Sequence, residues 1–574
     1  GRFGSPYAQL DLTSIDPHLV VFDRFTTGVD QFRELADAVH ARDGLVFLDI
    51  VVNHTGWRST LLEQHPEWFE RDPDGSFRSP GAWGNTWADL VELEHRDPAL
   101  WEEIAESLLE WCRRGVDGFR CDAAYMVPLP AWQYLIARVR REFPDTVFLA
   151  EGLGGAWDAT EALLAEGGMQ WAYSELFQNF APADVQGYLD HAIGQSARVG
   201  TLVHYSETHD NDRLAKRGRE VSLLRNRLCA LASISGAFGF TSGVEWLADE
   251  KIDVHEATGL AFGDPSNIVE ELGRLGRLLA HHPCFFDGAT IERVSEAASE
   301  VFILERTSAA GDDHGIVIAN LDPHAHQIAS IPLDVWRRGG DKRVDLLGSP
   351  LPSVEIEESM VSLEIPPSGC FFLVANDVPH GEAGDEYRRI RAAEAFALEA
   401  LAAFIPAESM GAAEPHALAS LVVRELERFV GVIPTVDPIA ARTDLVGAIE
   451  SALALRPYPR VVRLSPHDHP KITLVPPEHF VLVTDESPFR IHRTLPDGIK
   501  REHRSTAIGA THAAVLPPIA VREGALDVVL SMRRFAAQTS ETTATLRYIS
   551  ERPAPPLSAP QGLALLTNGR GGMA

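Results

Sequence analysis

Acidic, basic and imidazole side chains recur in this sequence directly after short apolar, β-branched runs. "LDIVVNHTG" carries Asp49, Asn53 and His54, and "GFRCD" ends in Arg120 and Asp122. "FLAEG" reaches Glu151, and "YSETHDND" carries His209, Asp210 and Asp212. Three carboxylates with an arginine and two histidines suit glycosidic chemistry. A retaining mechanism places two carboxyl groups about the anomeric carbon, one as nucleophile and one as acid/base. The nucleophile works ionised, so it needs a cation within hydrogen-bonding reach. Arg120 has the strand parity of Asp122 and points to the same side. The acid must hold its proton near neutrality, which suits Glu151 after the apolar "VFLA". A third carboxylate, Asp210, can grip sugar hydroxyls in an oxocarbenium-like transition state, with His209 and His54 as further donors. Metal binding by the same Asp/His set is the rival account, and the sequence has neither an HExxH nor an EF-hand loop.

Such residues need a common platform, and the surrounding pattern supplies one. "VDQFRELADAVHARDG" has Phe32, Leu35, Ala36 and Val39 at helical spacing, with Gly44 to end the helix. "DPALWEEIAESLLEWCRRG" has Asp97 as N-cap, Pro98 in its first turn and Gly115 as stop; its apolar stripe runs through Leu100, Ile104, Leu108 and Trp111. "PLPAWQYLIARVRREFP" repeats the theme on Trp132, Leu135, Ile136 and Val139. Between the helices lie the apolar strands "LVFLDIVVN", "VDGFRCD" and "TVFLAE", and "TLVHYSETHD" and "FGFTSGVE" read as later strands. Alternating units of this kind imply a parallel sheet with helices outside, open or closed into a (β/α)8 TIM barrel. The charged residues then gather at the C-terminal strand ends, the rim where such folds carry chemistry. A single charge there is explained as an ordinary loop residue; four strands agreeing is not.

The texture changes near residue 285. "EVFILERTS", "HGIVIANLD", "KRVDLLG" and "GCFFLVA" are short strands parted by Gly, Pro and Asp turns. The expected organisation is a partial catalytic barrel over 1–285 and a β-sandwich over 286–376. A helical segment follows over 377–455, with "AEAFALEALAAF" its clearest stretch, and a second β domain over 456–550. Residues 551–574 begin with the Pro-rich linker "ERPAPPLSAPQG" and end on "LALLTNGRGGMA".

Bulk numbers narrow the partners. The 574 residues carry 51 Lys+Arg against 82 Asp+Glu, and a net charge of −31 argues against binding a phosphate backbone. The five cysteines are scattered without metal or disulfide spacing, which suits a reducing cytoplasm. No apolar run is long enough to span a membrane.

At this point the residues resemble the alpha-amylase family of glycoside hydrolases. Four family regions stand in order: "DIVVNH" (D-x-x-x-N-H), "GFRCD" (G-x-R-x-D), "LAEG" around its glutamate, and "THDND" with the His-Asp pair. "WADLVELEHRDP", "GVEW" and "HHPCF" add further matches, and the resemblance covers about residues 1–375. By position it implies Asp122 as nucleophile, Glu151 as acid/base and Asp210 as transition-state stabiliser. Arg120, His54, His209 and Tyr125 would bind substrate, and Asp49 and Asn53 would support the site. Typical amylases follow the nucleophile with a Lys-His pair that binds sugar and, through a carbonyl, calcium. Tyr125 and Met126 stand there instead, which speaks against a standard calcium site, although Asn53 and Asp89 could be ligands. No other cofactor is implied. Trp57, Trp83, Trp87 and Tyr125 lie in loops where an aromatic ring could stack on a sugar or simply pack.

The family's D-x-x-x-N-H strand is the third of eight, and only the loop "GSPYAQLDLTSIDP" stands where the second would be. The resemblance therefore implies a piece of a longer chain. "LLTNGRGGMA" is similar to the opening of the glucosidase half of glycogen debranching enzymes, which would end the piece at a second activity. The expectation is a cytoplasmic retaining 4-α-glucanotransferase of glycogen-debranching type, acting on glycogen or maltooligosaccharides. "EQHPEWFERDPDG" is similar to the bacterial maltosyltransferase that extends α-glucan, one alternative; an amylase-like hydrolase is another. A non-catalytic glycan-binding homologue is the alternative of a different class.

Overall fold

The computed structural model describes residues 5–82, 84–255, 259–456, 459–467, 472–536 and 539–550. Trp83 and the 551–574 stretch, with its linker and "LLTNGRGGMA", lie outside the described residues. The described residues divide into two compact units. One runs to Tyr387 apart from 40–43 and 142–144; the other holds those short stretches and everything from Arg388.

The first unit is built on a parallel sheet. Its strands are β1 (Phe47–Val51), β4 (Gly118–Asp122), β5 (Val147–Ala150), β6 (Trp171–Tyr173) and β7 (Thr201–Val203), hydrogen-bonded in that order. A small antiparallel pair, β2 (His54–Gly56) with β3 (Leu90–Glu92), stands above the end of β1. Helices fill the crossovers. The helix Pro98–Arg113 starts where the Asp97 carboxylate accepts the Ala99 N–H at 2.9 Å, and it buries Leu100, Ile104, Leu108 and Trp111. The helix Leu129–Glu142 buries Trp132, Leu135, Ile136 and Val139 against the sheet side. Parallel strands covered in this way form a partial (β/α) barrel, with antiparallel β structure following it.

One sequence expectation fails here. "FGFTSGVE" forms no strand; its only sheet contact is a single parallel bridge from Phe238 to His204. Glycines at 239 and 243, the latter at φ +93°, break the extended run before a ladder can form. The helical spacing of Phe32, Leu35, Ala36 and Val39 holds in the helix Gly28–His40, although Leu35 is 59% exposed. The sheet ends at β1, and among the described residues no strand lies beyond it to cover that side.

After the helix Val269–His281 come two antiparallel sheets, strands Thr290–Arg293, Val301–Thr307, His314–Asn320, Cys370–Val374 and Val344–Asp345 in one and Gln327–Pro332, Met360–Ile365 and Val354–Ile356 in the other. Strand alternation feeds two cores. Ile303, Ile316 and Ile318 face Ala329, Ile331 and Leu363 of the second sheet. Phe302, Leu304, Val317 and Phe372 face Leu224, Leu228, Leu272 and Leu275 of the barrel helices.

The second unit pairs helices with two further sheets. Phe396, Leu401, Leu418, Phe429 and Ile449 of its helices pack with Phe480, Leu482 and Val515. The opposite residues of the same strands, Val481 and Val483, meet Ile491, Leu530, Met532 and Leu546 of a five-stranded sheet. Among the described residues no helix is long and apolar enough to cross a membrane, and all five cysteines are free and buried.

Candidate active site

The register of the parallel sheet sets the site. Asp49 on β1 is directly paired with Arg120 on β4, and Val51 with Asp122. Neighbours in register project to the same face, so the Asp49 carboxylate and the Arg120 guanidinium meet across the strands. Arg120 Nη1 donates to Asp49 Oδ1 at 2.8 Å and to Asp122 Oδ1 at 2.6 Å. One cation thus serves two carboxylates. The Tyr7 hydroxyl donates to Asp49 Oδ2 at 3.0 Å, and its oxygen lies 2.9 Å from His209 Nε2. The Tyr7 and His209 rings stack at 5.6 Å with 14° between planes. His209 Nε2 is also 3.5 Å from Asp210 Oδ2.

Glu151 follows β5 and is pinned by main-chain donors. Its Oε2 accepts the Ala123 N–H at 2.7 Å and its Oε1 the Leu153 N–H at 2.8 Å. Ala123 adopts φ +43°, a left-handed conformation that costs an alanine energy and turns its N–H toward the carboxylate. The residue after Asp122 is thereby bent to hold Glu151.

Burial dominates the protonation of both acids. Asp122 is pushed up to about 7, chiefly by burial, with Asp49 and Glu151 adding to the shift and Arg120 opposing it. Arg120 was expected to keep Asp122 ionised, but it shares its charge with Asp49 and so compensates only part of the cost. Glu151 is raised as well, first by burial and also by Asp210, against the pull of Arg120 and the two backbone N–H groups. His54 is driven down to about 4 by burial, with Asp89 opposing, so it is a neutral imidazole at pH 7. Its Nε2 is buried without a hydrogen-bond partner.

These groups converge. A cleft of about 280 Å³ is lined by Tyr7, His54, Trp87, Asp89, Arg120, Asp122, Tyr125, Glu151, His209 and Asp210, among others. Residues 6–151 match the family model of the alpha-amylase catalytic domain. That stretch contains Asp49, His54, Arg120, Asp122 and Glu151. Over that stretch the chain is similar to an alpha-amylase catalytic domain. Among curated relatives, an alpha-1,4-glucan:maltose-1-phosphate maltosyltransferase of Pseudomonas aeruginosa is 28% identical over 380 residues, 61% of this chain and 54% of that protein. A protein of the same name from Burkholderia pseudomallei is 29% identical over 351 residues, 58% of this chain and 30% of the relative. The chain therefore spans only about half of the first relative's length and less of the second's. Among solved structures, an alpha-amylase from Lactobacillus plantarum has 22% identity and a TM-score of 0.50, covering 65% of this chain and 86% of that one. A maltogenic alpha-amylase from Thermotoga neapolitana has 20% identity and a TM-score of 0.52 over the same shares. At such identities the two structures speak for the alpha-amylase fold alone.

Asp49 and Asn53, expected as supports, are not among the residues that line the cleft. Asp49 is half-exposed and accepts from Arg120. Asn53 is buried, its amide 3.3 Å from His54 Nδ1 and 3.8 Å from Met126 Sδ. Asp89 lines the cleft and accepts the Ser5 N–H at 2.9 Å. Calcium, which the alpha-amylase family implies, takes six to eight oxygen ligands. Around Asn53 the neighbours are an imidazole and a thioether, soft or nitrogen donors that do not suit it. Among the described residues no cluster of three or more His, Cys, Asp or Glu could hold a metal. Among the described residues, the side chains that neighbour Asn53 do not suit calcium.

Tyr125 is in the cleft but also packs: a Cβ on Gly155 would fall 2.7 Å from its ring. Trp87 lines the cleft and Trp57 does not. The residue that sequence reasoning missed is Tyr7. It lies in the aperiodic loop "GSPYAQLDL", and its only signal was an aromatic in a loop preceding a catalytic-type strand.

Proposed function

We propose that this domain is a retaining α-glucan transglycosylase, and that maltosyl transfer onto an α-glucan is the activity best supported. The observation that carries the reaction type is the Arg120–Asp122 ion pair, sharing one cleft with Glu151 and Asp210. The relatives named as maltosyltransferases support the choice of donor over the debranching reaction that "LLTNGRGGMA" suggested. The likeness of "EQHPEWFERDPDG" to the same enzymes adds to it.

In the proposed reaction Asp122, ionised, attacks the anomeric carbon of an α-linked donor. The bond from that carbon to the leaving oxygen breaks as Glu151 delivers its proton to the departing group, which is phosphate when the donor is α-maltose 1-phosphate. A β-linked glycosyl ester on Asp122 results. An acceptor hydroxyl then attacks the same carbon, Glu151 takes the hydroxyl proton, and Asp122 departs as carboxylate. Two inversions restore the α configuration. Asp210, the neutral His54 and His209 hold sugar hydroxyls while charge builds on the ring.

Incubating the protein with α-maltose 1-phosphate and maltohexaose tests this reading. Phosphate release with oligomers lengthened by two glucose units is the expected result. A ladder of longer and shorter oligomers from maltopentaose alone, without phosphate release, would instead make it a 4-α-glucanotransferase. Glucose and maltose alone would make it a hydrolase. Binding without any turnover would leave the glycan-binding alternative.

A further inference from the structure

Trp57 is 44% exposed, an unusual setting for the largest apolar side chain. Its position follows from the antiparallel pair β2–β3 above β1. In the β2–β3 ladder Gly56 is opposite Leu90, so the next residue, Trp57, comes level with the segment Trp87–Asp89. Gly56 makes this approach feasible, because a Cβ there would lie 2.7 Å from the Ala8 carbonyl oxygen. The Trp57 indole N–H donates to the Ala88 carbonyl at 2.9 Å. Ala88 is flanked in sequence by Trp87 and Asp89, which both line the cleft. Consecutive Cα atoms are about 3.8 Å apart, so the indole is anchored one residue step from the cleft wall.

The ring is also braced. Phe77 meets it edge-on at 6.4 Å, and Phe77 is itself held edge-on by the buried Phe69 at 6.3 Å. The Arg71 guanidinium lies 3.9 Å from the Phe77 ring centroid. An exposed aromatic fixed by a hydrogen bond and by packing loses little entropy when a ligand stacks on it. The apolar C–H face of a hexose is the natural occupant of such a surface beside a sugar cleft.

We infer that Trp57 is a stacking platform for an α-glucan chain where that chain leaves the cleft. The inference rests on the α-glucan reading above and names how longer substrates are favoured over short ones. Binding is measured by calorimetry on the full chain carrying Asp122→Asn, so that the sugar is not consumed. Adding Trp57→Ala is expected to raise the Kd for maltoheptaose about tenfold, the scale of one aromatic stacking contact. Maltose, too short to extend beyond the cleft, should lose less. Trp57→Phe, which keeps a flat ring, should recover most of the affinity. Should the alanine variant lower the Tm, Trp57→Leu keeps apolar bulk without a flat face and should show the same loss. An unchanged Kd for maltoheptaose overturns the inference, and so does an equal loss for maltose. Turnover that survives Asp122→Asn overturns the proposed reaction instead, and the Trp57 comparison is read independently of it. A chain that binds no maltoheptaose overturns both.

Discussion

Arg120 and Arg306 are both withdrawn from solvent within the same compact unit, and they are partnered in opposite ways. Arg120 faces carboxylates: Asp49 and Asp122 through one nitrogen, with the Tyr7 ring 5.9 Å from its guanidinium carbon. Arg306, fully buried, faces only neutral acceptors. Its Nε donates to the Cys284 carbonyl at 2.9 Å, Nη1 to Leu231 at 2.8 Å and Nη2 to Ser233 at 3.0 Å. Two of these carbonyls stand at the end of the helix Arg219–Leu231, the negative pole of its dipole. The Phe285 ring lies 4.2 Å from its guanidinium carbon. Burial pulls Arg306 down to about 9, whereas Arg120 is raised because the carboxylates outweigh its burial. The difference teaches what each is for. Carbonyl partners on two chain segments, 231–233 and 284, fix the junction of a helix and a sheet. Two carboxylates competing for one cation leave a site that is electrostatically unsettled, which is where chemistry can be done.

The largest effect expected is on the reacting side of this comparison. Asp122→Asn should lower transfer by about 10³-fold or more while sugar binding persists, because the amide cannot form the glycosyl ester. Assays of phosphate release and of oligomer length check it. Next is the structural side. Arg306→Met leaves three buried carbonyls without donors, each costing about 1–3 kcal/mol, so the unit should lose about 3 kcal/mol or more. Denaturant unfolding reads the loss, and the folded fraction should turn over at the wild-type rate. A loss of activity per folded molecule would break the division drawn here.

The strand ends and their charges were legible in the sequence because both follow from short-range pattern. Asp122 and Glu151 each close an apolar run, Asp49 and Arg120 interrupt one, and parallel register does the rest. Other features needed the third dimension. Tyr7 reaches His209 across 202 positions from a loop without period. The left-handed turn at Ala123 was hidden because no glycine announces it. The rise of Asp122 to about 7 depends on burial and on Asp49 being close enough to divide the charge of Arg120. Leu35 has helical spacing that fits a buried stripe, yet what covers a helix face is a matter of neighbours. "FGFTSGVE" has strand composition, and its glycines decided otherwise.

A smaller change separates the two arginines more finely. Arg120→Lys keeps the charge but not the fixed planar guanidinium, so the orientation of Asp122 relaxes. Transfer should fall about 10²-fold, with Tm nearly unchanged. A Tm loss matching that of Arg306→Met would show that Arg120 is a structural tie instead.

The smallest expected effect is a gain. Asp122 holds its proton more tightly in the folded chain than unfolded, with its pKa about 7 against the ordinary 3.8. Between those values the native state binds more protons than the unfolded state, so stability falls as pH rises from about 4 to about 7. Above pH 7 the ionised carboxylate costs the fold its full penalty. Asp122→Asn removes that penalty, so its Tm should exceed wild type at pH 8, by about 2–4 °C, and should match wild type near pH 4. Transfer by the wild-type protein should run the other way, rising as pH passes through about 7, because the nucleophile must be ionised. Stability and activity would then part at one carboxylate, as expected where Arg120 compensates two anions with a single charge. Asp122→Asn falling below wild type in Tm at pH 8 would mean that the 2.6 Å ion pair outweighs burial, making Arg120 and Asp122 a stabilising pair after all.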